Sequence, residues 1–550
     1  MKNIQTYIKE NSKLEYPSIQ TFENTTLGLD QYSKLFKKML KDKDSKIAVF
    51  PDYDFDGIIS GTILVKGLKI LGVSNERIKL IYPNREIGYG LSEKYLEQMQ
   101  DCKYIMTTDN GIDAFSMLKE IDYLNKHIYL ISDHHTQTQD IYDEIKELDN
   151  FALVDPNAID DETPFKDISG STVIWKLLVS IFASKKARLE CDISNKQLKK
   201  LIDLKYLLGL TVISDVMPIV NENNTLLKYT MDSMNAEKRD FHWSALASVL
   251  FNDKNYKFNY DDIGWNIAPL MNADSRVNLS PENAFKFWLS DDVLEIYSLA
   301  KLLFENNLKR KDIVKDISAK LDFNKDILVN IPIVNDPIHT RPFAGLIASK
   351  LVEKNRSPII AVADDGEKMQ GSARSFNNFD LIENFSKDEI LLKLDFALHG
   401  HPGAAGVNFP SKNFEQIKVR LNEIWDKFKS KYNISSSYNK NNYFDGKNVQ
   451  LDQIKDIENN GPYGNGRERP KFYLSNIDLS QGIMIGKDNK TLKLKYNDFD
   501  ILCWNYYDKF GSIINFFDFN VKYDLVGQFK INVWKGKENL QFIIDDIVKV

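Results

Sequence analysis

Short apolar runs alternate with helix-length segments in the first third of the chain. Five of these runs predict buried strands: KIAVF (46–50), KLIYP (79–83), YIMTT (104–108), HIYLIS (127–132) and FALVD (151–155). An apolar helix is predicted from Ile58 to about Leu71. Strands separated by helices are typical of a parallel sheet with helices on its faces, and ligands bind beyond the carboxyl ends of its strands.

The middle of the chain predicts helices and then a second, smaller α/β domain. Residues 167–250 are mostly helical in pattern, and residues 281–322 predict one or two long helices that would bridge two domains. The smaller domain is predicted from a strand at ILVNIPIV (327–334), a helix at FAGLIASKLVEK (343–354) and a strand at PIIAVADD (358–365). The segments GSARS (371–375) and HGHPGAAG (399–406) are predicted to be loops because they are rich in small residues.

The C-terminal part has the alternating pattern of β-strands. Four segments show it: KTLKLKY (490–496), DILCWNY (500–506), YDLVGQFKINVW (523–534) and ENLQFIIDDIVKV (538–550). They predict an all-β domain, a five-stranded barrel, that follows a polar linker at 430–447. The predicted fold class is therefore α/β, a parallel-sheet domain joined by helices to a smaller α/β domain, with a C-terminal all-β barrel. The expected domain bounds are 1–220, 221–325 (the helical connector), 326–435 and 436–550.

Composition and charge exclude several classes of protein. The chain has 550 residues, 43% hydrophobic and 27% charged, which excludes a fibrous or mainly disordered protein. A net charge of −6 argues against coating nucleic acid by bulk charge, but it leaves room for a local basic groove. The three cysteines are far apart and predict neither a disulfide framework nor a thiolate zinc site. Because no signal-peptide pattern or apolar stretch of about 20 residues occurs, we expect a cytoplasmic protein with no membrane partner.

Acidic side chains follow the ends of several predicted strands. DYDFDG (52–57) contains three of them, Asp109 follows YIMTT, and His134 and His135 follow HIYLIS; Asp215 ends a helical run. DYDFDG alone is equally well interpreted as a solvated turn. So many like charges at one sheet edge, however, repel one another unless cations neutralise them. Mixed Asp and His ligands suit Mn²⁺ or Mg²⁺, and two such ions about 3.5–4 Å apart suit hydrolysis of a phosphodiester or phosphoanhydride.

These motifs resemble a known family. DYDFDG, TTDNG (107–111) and SDHH (132–135), in this order, are similar to the DHH phosphoesterase superfamily. Further segments resemble its RecJ single-strand-specific exonucleases, with their DHHA1 partner domain and oligonucleotide-binding (OB) barrel: PNREIGYGLS (83–92), TVISDV (211–216), APLMNADSR (268–276), GLIASKLVEK (345–354), GSARS, GHPGAAG (400–406) and GPYGNGRERPKF (461–472). The resemblance covers nearly the whole chain and implies a DHH domain, a DHHA1 domain and an OB-fold domain.

The resemblance also implies a two-metal site. The implied metal ligands are Asp52, Asp54, Asp56, Asp109, His134 and Asp215, with Asp109 as the bridge. Asp109 and Asp52 would also act in catalysis with His135, which would face the scissile phosphate. Asp133 would orient a histidine, and Asp155 is interpreted as a structural turn residue. Phe50 stands where many DHH enzymes carry a metal-binding histidine, so the first metal would either rely on Asp52 or bind more weakly.

A second group of residues would hold the strand. Across an expected cleft from the metal site, a terminal phosphate would be bound by Ser372, Arg374, Ser375, His401 and Gly403. Contacts to the nucleotide backbone are expected from Arg85, Asn272 and Arg276, and a structural salt bridge is the alternative for Arg85.

The barrel is expected to bind bases and backbone. Its aromatic candidates are Tyr463, Phe472, Trp504, Tyr506 and Trp534, of which Phe472 and Trp504 are expected to be core residues. The basic loop residues are the better contact candidates: Arg467, Arg469, Lys471, Lys535 and Lys537.

We therefore expect a metal-dependent 5′→3′ exonuclease that hydrolyses single-stranded DNA to 5′-mononucleotides with two Mn²⁺ or Mg²⁺ ions, in DNA repair or recombination. Two alternatives stay open: a phosphodiesterase acting on short oligonucleotides or cyclic dinucleotides, and a non-catalytic single-strand-binding replication factor. The expected protein is a monomer whose partner is single-stranded DNA, with a single-strand-binding protein or a helicase as the candidate recruiting partner.

Overall fold

The chain folds into two compact units. The first consists of Glu15–Asp312 with Gly464–Arg467, and the second of Met1–Leu14, Ile313–Tyr463 and Glu468–Val550. The structure is a computed structural model that describes residues 4–10, 15–23, 25–136, 141–321, 326–377, 379–432, 440–486, 489–506, 510, 521–534 and 537–549. The finer division into four domains stays a prediction.

The first unit contains a parallel sheet of five strands. They are β1 (Ile47–Pro51), β2 (Ile78–Leu80), β3 (Tyr104–Thr108), β4 (Ile128–Ser132) and β5 (Phe151–Val154). Their order is β2-β1-β3-β4-β5, and every neighbouring pair is parallel. All residues of β1, β3, β4 and β5 are buried, which explains why these strands are continuous apolar runs. The strand predicted at 79–83 is too long at its C-terminal end. The observed strand β2 stops at Leu80, and Pro83, which has no N–H to donate, lies outside it.

Helices surround this sheet and continue beyond it. They span Leu29–Lys41, Phe55–Ile70, Glu93–Gln98, Ala114–Glu120, Tyr142–Ile145, Gly170–Ile181, Lys185–Glu190, Asn195–Asp203, Leu208–Ser214, Asn221–Met234, Phe241–Phe251, Tyr260–Asp262, Ala268–Val277, Glu282–Leu289 and Val293–Lys320. Shorter turns occupy Asn75–Arg77, Leu204–Leu207 and the π-helical segment Ile263–Ile267. The predicted bridging helices correspond to Glu282–Leu289 and Val293–Lys320, and the latter begins in the first unit and ends in the second.

The second unit contains a mixed sheet and a larger β-sheet. The mixed sheet has the order β6-β7-β8-β10-β9, in which only β6 and β7 are parallel. Its strands are β6 (Leu328–Asn330), β7 (Ile359–Asp364), β8 (Lys368–Arg374), β9 (Ala397–His401) and β10 (Ala404–Pro410). The helices of this unit are Ile4–Glu10, Pro337–Thr340, Ala344–Asn355, Glu389–Lys393, Phe414–Tyr432 and Leu451–Asn459, with turns at Arg341–Phe343, Ile382–Ser386, Ser411–Asn413 and Lys440–Asn442.

The segments GSARS and HGHPGAAG are not the predicted loops. GSAR ends β8, and the residues from His399 to Gly406 form β9, a two-residue turn and the start of β10. Small residues are needed here because strands approach closely: a Cβ on Gly371 would lie 1.9 Å from the carbonyl oxygen of Ala361. The composition that suggests loops therefore reflects tight strand packing.

The C-terminal all-β region is confirmed, with seven strands among the described residues instead of five. They are β11 (Phe444–Asp445), β12 (Phe472–Ile477), β13 (Ile483–Ile485), β14 (Thr491–Tyr496), β15 (Phe499–Cys503), β16 (Tyr523–Trp534) and β17 (Lys537–Lys549). They pair in the order β11-β12-β16-β17-β15-β14-β13. The predicted linker lies partly outside the described residues, at 433–439, and its first residues belong to the helix Phe414–Tyr432.

The barrel aromatics divide into core and surface. Phe472 is 1% exposed and confirms its predicted core position, whereas Trp504 is 51% exposed, so that its predicted core position is wrong. Tyr506 is fully buried. The side chain of Trp534 and all of Lys535 lie outside the described residues. Throughout the described part of the chain, no helix combines the length and the apolar character needed to cross a membrane.

A buried ion pair in the first unit generates a stability prediction. The ammonium of Lys176, 2% exposed, lies 2.6 Å from Oε2 of Glu222. We expect Lys176→Met to destabilise this unit by about 3 kcal/mol, because it leaves the Glu222 carboxylate buried without its cation. Adding Glu222→Met to Lys176→Met should restore most of that stability.

Urea unfolding followed by tryptophan fluorescence measures this effect, because Trp175 adjoins the pair in sequence. The control is Lys34→Met, which breaks the exposed pair Lys34–Asp149 and should change stability by less than about 0.5 kcal/mol. An equal loss in both single variants would contradict the prediction.

Candidate metal centre and strand-binding surfaces

The site begins where β1 turns into the helix Phe55–Ile70. Asp54 caps this helix, and its Oδ1 accepts a hydrogen bond from the N–H of Gly57 at 3.1 Å. Asp52 precedes the cap and is 6% exposed. No side chain fits at Gly57, since a Cβ there would lie 2.4 Å from the carbonyl oxygen of Asp52. The glycine thus lets the turn close tightly and holds both carboxylates beside the helix N-terminus.

Asp56 lies in the first turn of the same helix and is held by the N-terminus of the helix Gly170–Ile181. Its carboxylate accepts hydrogen bonds from the N–H groups of Gly170 (2.6 Å) and Ser171 (3.1 Å). The hydroxyl of Ser171 also bonds to that of Thr211 at 2.7 Å, which ties this helix start to the helix Leu208–Ser214. Asp215 is the C-cap of the helix Leu208–Ser214. These contacts therefore fix Asp56 and Asp215 relative to each other.

Asp109 follows β3 in a strained conformation. Its φ is 62°, a left-handed value that non-glycine residues rarely adopt, and its N–H donates to the carbonyl of Ser132 at 3.0 Å. A Cβ on Gly170 would lie 2.5 Å from Oδ1 of Asp109, so only glycine leaves room for this carboxylate. The turn therefore directs Asp109 toward the group formed by Asp56 and Asp215.

His134 lies among the carboxylates. Its Nδ1 donates to the carbonyl of Ile168 at 3.0 Å, which directs Nε2 toward the acids. Nε2 lies 3.1 Å from Oδ1 of Asp109, 3.5 Å from Oδ2 of Asp215 and 3.8 Å from Oδ2 of Asp56. A backbone carbonyl behind a metal-binding imidazole commonly fixes its tautomer and orientation, so the arrangement suits a ligand.

The donor atoms form overlapping sets with the spacing of metal ligands. Each set has atoms within 4.8 Å of one another, and the sets are Asp52, Asp54 and Asp109; Asp56, His134 and Asp215; and Asp109, His134 and His135. Oδ1 of Asp109 and Oδ2 of Asp215 are buried and have no hydrogen bond to any described residue. Buried carboxylate oxygens of this kind need a cation. The structure thus brings all six predicted metal ligands together, and their chemistry fits divalent cations that prefer oxygen and imidazole ligands.

Burial and mutual repulsion shape the charge of this site. Burial and the charge of Asp54 raise the pKa of Asp52 to about 8 and that of Asp56 to about 7. Burial and the charges of Asp56 and Asp54 raise the pKa of Asp109 and of Asp215 well above the usual range. Divalent cations would reverse this effect, because they stabilise the ionised carboxylates.

His135 is held by Asp133 and not by the acid cluster. Its Nδ1 donates to Oδ1 of Asp133 at 2.7 Å, and Oδ2 of the fully buried Asp133 accepts the N–H of Ile112 at 2.9 Å. Burial lowers the pKa of His135, but the charge and hydrogen bond of Asp133, together with the charges of Asp52 and Asp215, raise it to about 10. The contact with Asp133 therefore favours the protonated form of the ring. Asp133 orients a histidine in the way that the sequence predicts.

Phe50 and Asp155 have structural positions. Phe50 is 1% exposed and packs on Tyr95, with ring centroids 4.5 Å apart. Asp155 is buried and accepts the N–H of Asn157 at 2.7 Å, the pattern of an Asx turn. The side chain of Asn157 in turn donates to the carbonyl of His134 at 2.6 Å, so this turn supports the ligand from behind.

Aromatic and basic residues lie beside the acids. The guanidinium of Arg85 lies over the ring of Tyr53 at 3.9 Å, and its Nε donates to the hydroxyl of Ser275 at 3.2 Å. Burial raises the pKa of Tyr53, and the charges of Arg85 and Arg276 oppose that rise. Both arginines therefore lie near the segment Asp52–Asp54. The structural salt bridge considered as the alternative for Arg85 stays a prediction.

Sequence reasoning missed Tyr53 and Tyr89 as neighbours of the centre. Tyr89 is 51% exposed, and its hydroxyl lies 3.4 Å from Nδ1 of His135. Its ring lies 6.2 Å from that of Tyr53. The motif containing Tyr89 was visible in the sequence, but nothing in it indicated that this ring lies beside His135.

In the second unit, one face of the mixed sheet carries four polar side chains. They are the predicted phosphate-binding residues Ser372, Arg374 and His401, and the neighbouring His399. Directly paired residues project on the same side of a sheet. The register gives two rows across β8, β10 and β9: Ser372–Gly406–His399 and Arg374–Ala404–His401. The small residues in the middle leave this face, here called the Arg374 face, open between the arginine and the two histidines. A Cβ on Gly345 would lie 2.7 Å from the Arg374 guanidinium, so glycine makes room for it.

Ser375 and Gly403 close the turn beside this face. The N–H of Ser375 donates to the carbonyl of Gly403 at 2.9 Å, and its hydroxyl donates to the carbonyl of Phe379. Their predicted role in phosphate binding stays a prediction, as does that of His401, which is exposed.

Asn465 was missed because its contact is distant in sequence. Its Nδ2 donates to the carbonyl of Val216 at 2.9 Å, and its own carbonyl accepts the N–H of Ile219 at 2.8 Å. Val216 follows Asp215 directly and has a φ of 55°, which is strained for a β-branched residue. Asn465 thus stabilises the backbone conformation that presents Asp215.

This contact generates a prediction about metal affinity. We expect Asn465→Ala to weaken Mn²⁺ binding about tenfold, because Val216 can then relax and move Asp215, and supporting residues typically have effects of this size. Isothermal titration calorimetry with Mn²⁺ measures the change. The control is Asn448→Ala, an exposed asparagine of the second unit, which should leave the affinity unaltered. Equal affinities in all three proteins would contradict the role of Asn465.

Comparison with known proteins agrees with this architecture. Residues 46–207 match the model of the DHH family, N-terminal domain, and residues 443–546 match that of the RecJ OB domain. The single-stranded-DNA-specific exonuclease RecJ of Salmonella typhimurium is 24% identical over 545 residues, covering 94% of this chain and 90% of that protein.

Solved structures show the same fold. RecJ from Thermus thermophilus in complex with Mn²⁺ has a TM-score of 0.73 and 21% identity, covering 97% of this chain and 73% of that one. The same protein in complex with Mg²⁺ has a TM-score of 0.67 and 19% identity, covering 98% and 72%. The predicted resemblance and fold class are confirmed: the chain has the fold of the RecJ structures and resembles RecJ over most of its length, through a DHH-like N-terminal segment and a C-terminal segment similar to the RecJ OB domain.

Proposed function

We propose that the protein is a metal-dependent exonuclease that hydrolyses single-stranded DNA from the 5′ end and releases 5′-mononucleotides. The observation that carries the proposal is the cluster of five carboxylates and His134, arranged as overlapping ligand sets at one sheet edge. The relative from Salmonella typhimurium is a single-stranded-DNA-specific exonuclease, and the Thermus thermophilus protein binds Mn²⁺ and Mg²⁺.

The metal ligands would be Asp52, Asp54, Asp56, Asp109, His134 and Asp215. Two bound Mn²⁺ or Mg²⁺ ions would supply Lewis acidity to the scissile phosphate and to the attacking water. Asp109 is the proposed bridge because it belongs to two of the ligand sets and its Oδ1 lies 3.1 Å from His134. The N–H groups of Gly170 and Ser171 keep Asp56 fixed while its other lone pairs face the centre.

His135 is proposed to act on the phosphate itself. Its imidazolium, held by Asp133, places a positive charge beside the ligand sets and can donate a proton or a hydrogen bond to the phosphate. Because Asp133 fixes the ring, this charge is oriented before the substrate binds. Burial raises the pKa of Asp52 to about 8, and bound cations would keep this carboxylate ionised, so that it could accept a proton from the attacking water.

Strand binding is proposed on both units. Arg85, Asn272 and Arg276 would contact the nucleotide backbone near Tyr53, and the Arg374 face, with Ser375 and Gly403 at its turn, would receive the terminal phosphate. Arginine and hydroxyl donors suit a phosphate dianion. In the barrel, Trp504 is exposed and can stack on a base.

The cellular setting is part of the proposal. We propose a cytoplasmic monomer that acts in DNA repair or recombination on single strands produced by a helicase or coated by a single-strand-binding protein. The single-stranded substrate of the curated relative supports this setting.

Removal of the bridging carboxylate tests the catalytic proposal. We expect Asp109→Ala to lower the degradation of single-stranded DNA by more than about a hundredfold with either Mn²⁺ or Mg²⁺. The reason is that each of the two ligand sets that contain Asp109 loses a donor. The assay follows nucleotides released from 5′-phosphorylated single-stranded and double-stranded DNA and RNA. The control is Asp149→Ala, which removes an exposed carboxylate that belongs to none of the ligand sets.

The same assay separates the alternatives. Cleavage of short oligonucleotides or cyclic dinucleotides without attack on long strands would favour the phosphodiesterase. Tight single-strand binding without cleavage by the wild type would favour the replication factor. Full activity of Asp109→Ala would contradict the metal assignment.

The Arg374 face generates a second prediction. Arg374→Ala should lower kcat/KM for 5′-phosphorylated strands about tenfold, since a charge-assisted hydrogen bond contributes about 1.5–3 kcal/mol. Strands with a 5′-hydroxyl should be affected much less, and Mn²⁺ affinity should be unchanged. Steady-state kinetics on the two substrates measure this difference, and an equal loss on both would contradict the phosphate assignment.

A further inference from the structure

A row of side chains that are exposed or half-buried runs along a helical segment of the first unit. The segment runs from the helix Tyr260–Asp262 through the π-helical turn Ile263–Ile267 into the helix Ala268–Val277. Half of its residues are buried. Among the others, four recur at intervals of four, three and four residues: the exposed Trp265 and the half-buried Pro269, Asn272 and Arg276. This spacing places them on one face, here called the outer row.

The C-terminal end of the outer row lies at the metal centre. The guanidinium of Arg85 lies over the ring of Tyr53 at 3.9 Å and also bonds to the helix end that carries Arg276, so this end lies beside the segment Asp52–Asp54. The neighbouring Ser275 accepts a hydrogen bond from Arg85 at 3.2 Å. A nucleotide whose phosphate lies at the ligand sets would therefore meet the outer row at Arg276 first.

The other end of the row presents an exposed indole. Trp265 is 79% exposed, more than any other aromatic side chain in the described part of the chain. Eleven residues separate it from Arg276, which corresponds to about 16 Å along a helix.

The indole is held on a firm support. Its neighbour Gly264 packs against Ile213, to which a Cβ on the glycine would approach within 3.3 Å. Ile213 belongs to the helix Leu208–Ser214, which ends at Asp215. π-Helical turns frequently occur at functional sites, and this one holds an aromatic surface at a fixed distance from the metal ligands.

We infer that Trp265 is a base-stacking residue that binds a nucleobase of the single strand several nucleotides away from the scissile phosphate. This inference rests on the proposed function and adds a binding position to it. Asn272 and Arg276 contact the backbone between the two points. The indole accepts any base, because every base offers a π-face, and the contact thus adds affinity without sequence preference.

Oligonucleotide length tests the inference. A stacked strand advances about 3.4 Å per nucleotide, so a 5′-phosphorylated thymidine dinucleotide at the metal centre does not reach Trp265, whereas a 12-mer does. We expect Trp265→Ala to weaken binding of the 12-mer about tenfold and to leave dinucleotide binding unchanged. Trp265→Phe, which keeps an aromatic face, should stay within about threefold of the wild type.

Binding is measured by fluorescence anisotropy in Mn²⁺ with oligonucleotides whose linkages are hydrolysis-resistant phosphorothioates, so that the metal centre is filled while cleavage is suppressed. The matched control is Phe241→Ala, which removes another exposed aromatic ring of the first unit from outside the outer row. Unchanged 12-mer binding by Trp265→Ala would overturn the inference and leave the surface to a protein partner. Equal losses for both oligonucleotides, or for the alanine and phenylalanine variants, would also overturn it. A separate cleavage assay of the wild type tests the proposed exonuclease, so that the two failures are distinguishable.

Discussion

Repulsion between buried carboxylates is the constraint on which the first unit depends. Asp56 and Asp109 are both 2% exposed, and the charge of Asp56 raises the pKa of Asp109. Ionised carboxylates in such surroundings are stable only with nearby positive charge. The protein supplies part of it through the helix starts at Asp54 and Gly170. Divalent cations would supply the rest, so that folding leaves a centre whose charge is completed by metal.

Holding these charges together requires strained backbone, and the surrounding contacts maintain it. Asp109 has a left-handed backbone and is anchored by Ser132 of the neighbouring strand. Val216, also left-handed, follows Asp215 and is held by Asn465. Strain of this kind persists only where neighbouring structure over-determines it. The parallel sheet and two packed helices therefore provide the rigidity that a two-metal site needs.

The net charge of −6 has a local meaning once the fold is known. A part of the acidic excess is concentrated at the ligand sets, where cations would offset it. The groups proposed to bind the strand are few: the Arg374 face, the pair Arg85 and Arg276, and the exposed rings of Trp265 and Trp504. Such a design would bind a strand through placed contacts and stacking instead of bulk positive charge.

The sequence by itself determined the strands and the ligand positions, because both depend on local pattern. The run YIMTT is β3 from its first residue to its last, and each ligand motif follows the strand or helix that presents it. Tertiary structure decided what depends on distant partners. GSAR lies in a strand because β7 and β10 pair with it, and HGHPGAAG joins two strands that pair with each other. Trp504 is exposed although the residues before it, 501–503, are apolar. Asn465 supports Asp215 through Val216, 249 residues away along the chain, and no local pattern encodes such a contact.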